Sequence, residues 1–327
     1  MTAGRNSQPI IAFDKIIRRL IPFILLGVAG NLFYSFFTTD LAQFSDMAHI
    51  SPAWLAVALL LALMPWAWHA LRLHIWTRFL GEKISWKNLL RIVVATDVGG
   101  AVTPTAVGGA PLKLLMLANN GMRVGHATML TLLGNLEDVL FYLILIPVSL
   151  FLTKNGKHPL WEKLSGLLKE HGWQVAMGML LLLAIALIFR RLFKKSKKSS
   201  SWQEKLRQLA GEFREAWQLI RAGGRKPFLL SMLALSSQWL TRFFILIAVL
   251  FSLELEADYF RIFWLQWMVF VAVLLVPTPG ATGGAEAAFL LVFGAMLPDG
   301  TATIVMAVWR LLTYYFMLTV GLLILKT

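Results

Sequence analysis

Seven ionisable side chains sit where an apolar sequence should carry none. Asp97, Lys113, Glu137, Asp138, Arg242, Glu286 and Arg310 lie inside or beside runs of Leu, Val, Ile, Ala and Phe. A charge at the centre of a bilayer costs about 2.5–3.5 kcal/mol on insertion scales. Residues retained against that cost either form ion pairs that join helices or line a polar site for a charged guest. Lys113 and Arg310 favour a guest with phosphate or carboxylate oxygens, which a guanidinium can hold at two points. Lys113, Glu137, Asp138, Glu286 and Arg310 are the candidate binding residues, because they gather around two breaks in the apolar pattern.

The first break, Thr103-Pro104-Thr105-Ala106-Val107-Gly108-Gly109, interrupts the apolar region from Leu89 to Ala118. The second, Pro277-Thr278-Pro279-Gly280-Ala281-Thr282-Gly283-Gly284, interrupts the region from Tyr259 to Leu297. Proline lacks an amide donor and glycine pairs weaken helix, so Pro104, Gly108, Gly109, Pro279, Gly283 and Gly284 mark bare backbone at membrane depth. Such backbone is tolerated only where protein buries it or a wet cavity faces it. Kinked through-going helices are one geometry. Re-entrant helical hairpins are the expected one, because the returning half from Val107 to Ala118 has 12 residues, which rise only about 18 Å. Lys113 and Glu286 sit on these returning halves. Helix N-termini at Gly108 and Gly283 would aim partial positive charge at an anion.

The two breaks align without a gap at an offset of 175 residues. Thr103-Pro104 matches Thr278-Pro279, and Gly108-Gly109-Ala110 matches Gly283-Gly284-Ala285. Beyond them Gly125, Ala127, Thr128 and Phe141 match Gly300, Ala302, Thr303 and Phe316. The expected organisation is a single polytopic domain over 1–327, with repeat 1 at about 89–152 and repeat 2 at about 259–327.

The elements that position these residues follow from hydropathy. The chain is 58% hydrophobic and 15% charged, with mean hydropathy +0.68. Soluble domains run about 45–50% apolar and about 25% charged, so a soluble globule is excluded. Full spans, each near the ~20 residues that cross a bilayer, are expected at Ile16–Phe37, Ala53–Leu73, Ala127–Leu152, Gly172–Phe189, Phe228–Leu253 and Ala302–Leu325. The fold class is therefore an all-α integral membrane protein with about six full spans and two re-entrant hairpins. Three spans separate the hairpins, so they should enter from opposite faces as an inverted-topology repeat.

Charge sets the expected orientation. Arg5, Lys15, Arg18 and Arg19 precede the first span, and the segment 190–227 carries 12 Lys or Arg against 3 Glu. Lys and Arg concentrate on the cytoplasmic side, so the N-terminus and segment 190–227 should face the cytoplasm of a cell with this protein in its inner membrane. Arg72, Arg78, Lys83, Lys87 and Arg91 count as the charges of another cytoplasmic loop. A helix from Trp202 to Ile220 is expected on the membrane surface, and the loop 154–171 should carry an amphipathic helix outside. The net charge of +14 reads as orientation and anionic-lipid contact, and nucleic-acid binding is not expected. With no cysteine, thiolate chemistry is excluded. His69 and His74 read as interfacial residues, and no metal or cofactor is expected.

The two motifs resemble the flippase-like membrane domain of lysylphosphatidylglycerol synthases, which also occurs alone. The first resemblance is Pro104-Thr105-Ala106-Val107-Gly108-Gly109-Ala110-Pro111, then Lys113 and Glu137. The second and stronger is Pro279 to Glu286 followed by Trp309-Arg310-Leu311-Leu312-Thr313-Tyr314. In the first, Asp138 stands where the family often has a basic residue after the glutamate. The resemblance implies movement of a lipid or lipid-linked headgroup between leaflets, without the synthase activity, which belongs to a separate soluble domain. The expected role is a transporter and not an enzyme, acting on membrane lipids with anionic phosphate headgroups. A membrane enzyme acting on a lipid phosphate, or a non-transporting scaffold, are the alternatives.

Overall fold

The computed structural model describes residues 50–103, 108–153, 211, 214–215, 217–274, 276, 278 and 280–326. The expected spans Ile16–Phe37 and Gly172–Phe189, the loop 154–171, most of segment 190–227, and Pro104 and Pro279 lie outside the described residues. Among the described residues every regular element is a helix. In chain order these are α1 (Pro52–Phe79), α2 (Trp86–Ala101), α3 (Gly109–Asn119), α4 (Val124–Thr153), α5 (Arg225–Ser252), α6 (Tyr259–Leu274), α7 (Gly284–Phe293) and α8 (Ala302–Arg310). A π-helical turn, Leu311–Phe316, then leads without interruption into α9 (Met317–Lys326).

Four stretches are long and apolar enough to cross a membrane: α1, α4, α5 and the continuous Ala302–Lys326. They correspond to four of the expected spans. Helix α1 extends six residues past its expected end at Leu73, to Phe79. Arg72, counted with the loop charges although it stands one residue before that end, lies well inside the helix, and the extension also takes in Arg78. Pro52 opens α1, where its missing amide is no loss.

Two bonds fix how α1 meets α5. The Ser51 amide donates to Ser252 O at 2.8 Å, and Trp76 Nε1 donates to Ser231 Oγ at 2.9 Å. The start of α1 therefore lies by the end of α5 and the reverse, so the pair is antiparallel. Protein buries 61% of the apolar window of α5, against 22–28% in the other three long helices. Helix α5 is thus the most enclosed of the described long helices. The others keep large apolar side chains such as Leu60, Leu132, Leu143 and Phe151 exposed, as a lipid-facing surface requires.

Two units break between helices. Helices α2 and α3 pack on each other across the first break, and α6 and α7 across the second. None of the four exceeds 16 residues, or roughly 24 Å, less than the ~30 Å of a hydrocarbon core. The second half begins at Gly109 in one unit and Gly284 in the other, which is the same offset as the sequence repeat. Close backbone approach explains the first pair of glycines. A methyl group on Gly109 would lie 2.9 Å from Thr96 O, and one on Gly108 would lie 2.8 Å from Gly99 O. In the second unit Gly283 has φ +84°, a left-handed conformation that glycine adopts without strain.

Candidate functional site

The charged residues converge on one partly open cavity of about 820 Å³ between the two broken units. Its wall carries four cationic side chains, Arg72, Lys113, Arg242 and Arg310, against two carboxylates, Asp97 and Asp138. Glu137 and Glu286 stand behind that wall, 0% and 1% exposed.

On the side of the first unit, Arg72 organises the charges. Its Nε donates to Glu137 Oε2 at 2.7 Å, and its Nη2 donates to Gly134 O at 2.6 Å. Nη1 and Nη2 each reach Asp138 at 3.3 Å. Trp76 Nε1 supplies Glu137 Oε1 with a second donor at 2.8 Å. Hydrogen bonds on both oxygens offset the desolvation of a buried carboxylate.

On the side of the second unit, Arg310 Nε donates to Glu286 Oε1 at 2.8 Å and Arg310 Nη2 to Gly280 O at 2.9 Å. The other Glu286 oxygen accepts from the Gly283 amide at 2.7 Å. Glu286 thus caps the N-terminus of α7, where the helix dipole favours an acid. The Arg310 guanidinium lies 4.8 Å from the Tyr314 ring centre. Tyr314 sits in the π-helical turn, and its hydroxyl donates to Ala101 O at 3.2 Å, so it ties this helix to the end of α2. Single π turns inside α-helices are frequent at functional sites.

A third group bridges the middle. Asp97 Oδ2 accepts from Trp66 Nε1 at 3.1 Å and lies 3.4 Å from Arg242 Nη2. Arg242 also lies over the Trp239 ring at 5.4 Å.

Residues 21–321 match the family described as the lysylphosphatidylglycerol synthase TM region. The chain belongs to this family. It is also similar to a UPF0104 membrane protein of Archaeoglobus fulgidus, with 26% identity over 317 residues, covering 89% of this chain and 92% of the relative. Membership makes the chain a multi-pass membrane protein of a lipid-related family, in keeping with its apolar helices.

In this lysylphosphatidylglycerol synthase TM-region protein, the five candidate residues all border the cavity or stand directly behind its wall. Arg310 pairs with Glu286 of its own motif, and Glu137, whose motif supplies no basic neighbour, finds one elsewhere. The basic partner of Glu137 is Arg72, from α1, and not a residue of its own repeat. Lys113 makes no hydrogen bond or salt bridge with any described residue, although it is only 8% exposed. The first amides of both returning halves are also taken. Gly108 donates to Thr103 Oγ1 at 2.9 Å and Gly283 to Glu286, so those two amides do not point at a guest.

Sequence reasoning missed Arg72 by counting it as a loop charge, and His69 by reading it as interfacial. His69 lines the cavity one turn before Arg72, and its Nδ1 is buried without a partner among the described residues. The available signal was the stripe Trp66, His69, Arg72 or Leu73, and Trp76, which keeps helical spacing past the point where the apolar run ends. His74 does stay outside the cavity, edge-on to Trp86 at 5.9 Å.

Proposed function

We propose that this protein moves the phosphate-bearing headgroup of an anionic lipid between membrane leaflets through the charged cavity. The observation that carries the reading is the cavity itself, about 820 Å³ with four cationic side chains and two carboxylates on its wall. The barrier to flipping a lipid is its polar headgroup, since its tails remain in hydrocarbon throughout. A wet cavity with paired charges replaces the water that the headgroup loses, and its volume falls within the ~300–1,000 Å³ of ligand pockets. Glu137 and Glu286 behind the wall balance Arg72 and Arg310, so the preference for an anionic group rests on Lys113, which lines the cavity with no acid bonded to it among the described residues. The reading involves no bond-breaking step, so the chain acts as a transporter and not as an enzyme.

Alternating access is supplied, in this reading, by two re-entrant hairpins that enter from opposite faces. Several contacts support it. Asn88 Nδ2, near the start of α2, donates to Asn120 Oδ1, just past the end of α3, at 2.7 Å, so the first unit returns to the level at which it began. His126 Nδ1, at the start of α4, lies 3.0 Å from Glu82 just beyond α1. For the second unit, Leu297 packs in the same cluster as Leu253 and Leu55, at the opposite end of α1 and α5. With segment 190–227 cytoplasmic, the first unit opens to the cytoplasm and the second to the exterior of a cell membrane.

The test is translocation of fluorescent phosphatidylglycerol in liposomes bearing the purified protein, alongside a neutral headgroup. Faster inward movement of the anionic probe than in protein-free liposomes supports the proposal. Equal rates with and without protein, across a panel of anionic lipids, would remove it. Appearance of a modified lipid product would favour the enzyme reading instead.

A further inference from the structure

The neighbourhood of Gly134 brings two cations together, and among the described residues only Arg72 is bonded to carboxylates. A methyl group built on Gly134 would lie 3.1 Å from Arg72 Nη2 and 3.3 Å from Lys113 Nζ. The two nitrogens are therefore at most about 6.4 Å apart, the sum of those distances. Both line the cavity. A single oxygen that accepts from both at about 2.8 Å spans nitrogens up to about 5.6 Å apart, and two oxygens of one phosphate reach further. Lys113 is 8% exposed and has no hydrogen bond or salt bridge among the described residues. An ammonium ion buried to that degree without a partner is costly until an anion joins it.

The two acids beside Arg72 are not equivalent. Glu137 is fully buried and held at 2.7 Å by Arg72 and 2.8 Å by Trp76. Asp138 has a side chain 38% exposed and meets Arg72 only at 3.3 Å, longer than the ~2.7–2.9 Å of a tight charge-assisted bond. Glu137 fixes Arg72 in place. Asp138, which lines the cavity with Arg72, takes the Nη1–Nη2 edge of the guanidinium.

We propose that Arg72 and Lys113, converging over Gly134, form an oxyanion subsite for the phosphate of a lipid headgroup, with Asp138 as a resident counter-ion that the phosphate displaces. This rests on the transport reading for the identity of the guest, and adds where its phosphate binds and what it competes with. Asp138 competes for the Nη1 and Nη2 donors of Arg72 and limits how tightly the phosphate is held, so the guest can leave again.

The experiment is calorimetric titration of the full-length protein in detergent with a short-chain phosphatidylglycerol, and with the matching phosphate-free diacylglycerol. Lys113→Gln is expected to weaken phosphatidylglycerol binding about tenfold, the value of one charged hydrogen bond. Asp138→Asn is expected to tighten it severalfold, and neither change should alter diacylglycerol binding. Inorganic phosphate is added as a competitor. Competition assigns the subsite to any free oxyanion, and failure to compete restricts it to phosphate carried on lipid; both support the subsite. Unchanged affinity in a monodisperse Lys113→Gln protein, or weaker binding in Asp138→Asn, would overturn it. If Lys113→Gln does not elute as one species, Asp138→Asn alone decides. Binding that follows these expectations while the wild type moves no lipid in liposomes removes the transport reading and keeps the subsite. Transport with unaltered affinities in both variants does the reverse.

Discussion

Arg72 Nε stands 2.7 Å from Glu137 Oε2, and their side chains are 5% and 0% exposed. Sixty-five residues separate them in sequence, so the pair joins α1 to α4 across the wall of the cavity. Removing one member of a buried pair leaves the other charged without compensation, at about 3–5 kcal/mol. Arg72→Gln should therefore lower the melting temperature markedly, and Arg72→Gln with Glu137→Gln should recover much of the loss. The Arg123–Glu215 pair offers a contrast at a similar distance, 2.8 Å, but with side chains 46% and 50% exposed. Water screens such a pair, so Glu215→Gln should leave the melting temperature within error. Equal losses from Arg72→Gln and Glu215→Gln would show that Arg72 is not the structural centre of the first charge group.

The topology can be read by labelling, because the chain has no cysteine of its own. Lys87 and Asn119 are both exposed, one at the start of α2 and the other at the end of α3. A hairpin puts Lys87→Cys and Asn119→Cys on one side of the membrane, and a single kinked span would put them on opposite sides. Asp299→Cys, on the exposed turn before α8, should label from the other face. Impermeant maleimide added to intact cells and to inverted vesicles distinguishes these outcomes. Opposite labelling of positions 87 and 119 would sink the hairpin.

The glycines of the first break make a separate, steric prediction. An alanine methyl at Gly109 would meet Thr96 O at 2.9 Å, and this contact is with backbone. The two helices would have to separate, a strain of about 1–3 kcal/mol for such overpacking. At Gly211 no described residue comes within 4 Å of the same added atom. Gly109→Ala should lower the melting temperature and slow transport, whereas Gly211→Ala should be neutral or slightly stabilising. Wild-type stability in Gly109→Ala would mean that α2 and α3 do not approach so closely.

The long helices were legible because a span is a local property: its length and apolarity can be read from about 20 adjacent residues. The breaks were legible for the same reason, since Pro and Gly act on the backbone where they stand. Glu286 and Arg310 could be paired because one motif holds both. Arg72 was not legible in that way. A basic residue near a helix end ordinarily reports orientation, and nothing local distinguishes one that turns inward. Its partner lies on another helix, and only packing brings α1 against α4. For Lys113 the position was legible and the pairing was not. Its place on the returning half marked it as a candidate, but only the tertiary arrangement, which gives Glu137 to Arg72, shows that the lysine lines the cavity without an acid bonded to it among the described residues.

Arg310 provides the sharpest separation of structure from function. Its guanidinium does three things at once: it holds Glu286 at 2.8 Å, holds Gly280 O at 2.9 Å, and lies 4.8 Å from the centre of the Tyr314 ring. Lysine keeps the charge but is a compact point donor without the planar fork. In Arg310→Lys the ammonium can stay with Glu286, so the buried carboxylate is still neutralised and the protein should fold. It cannot also serve Gly280 O and stack on Tyr314, and so the second break and the π-helical turn lose their common anchor. Translocation per correctly folded protein is expected to fall at least about tenfold, the equivalent of roughly 1.4 kcal/mol, while elution in detergent stays monodisperse. Arg310→Ala should lose transport as well, and should also lower the melting temperature by stranding Glu286. Wild-type translocation by well-folded Arg310→Lys would confine Arg310 to holding the fold, and full transport by well-folded Arg310→Ala would remove it from the site altogether.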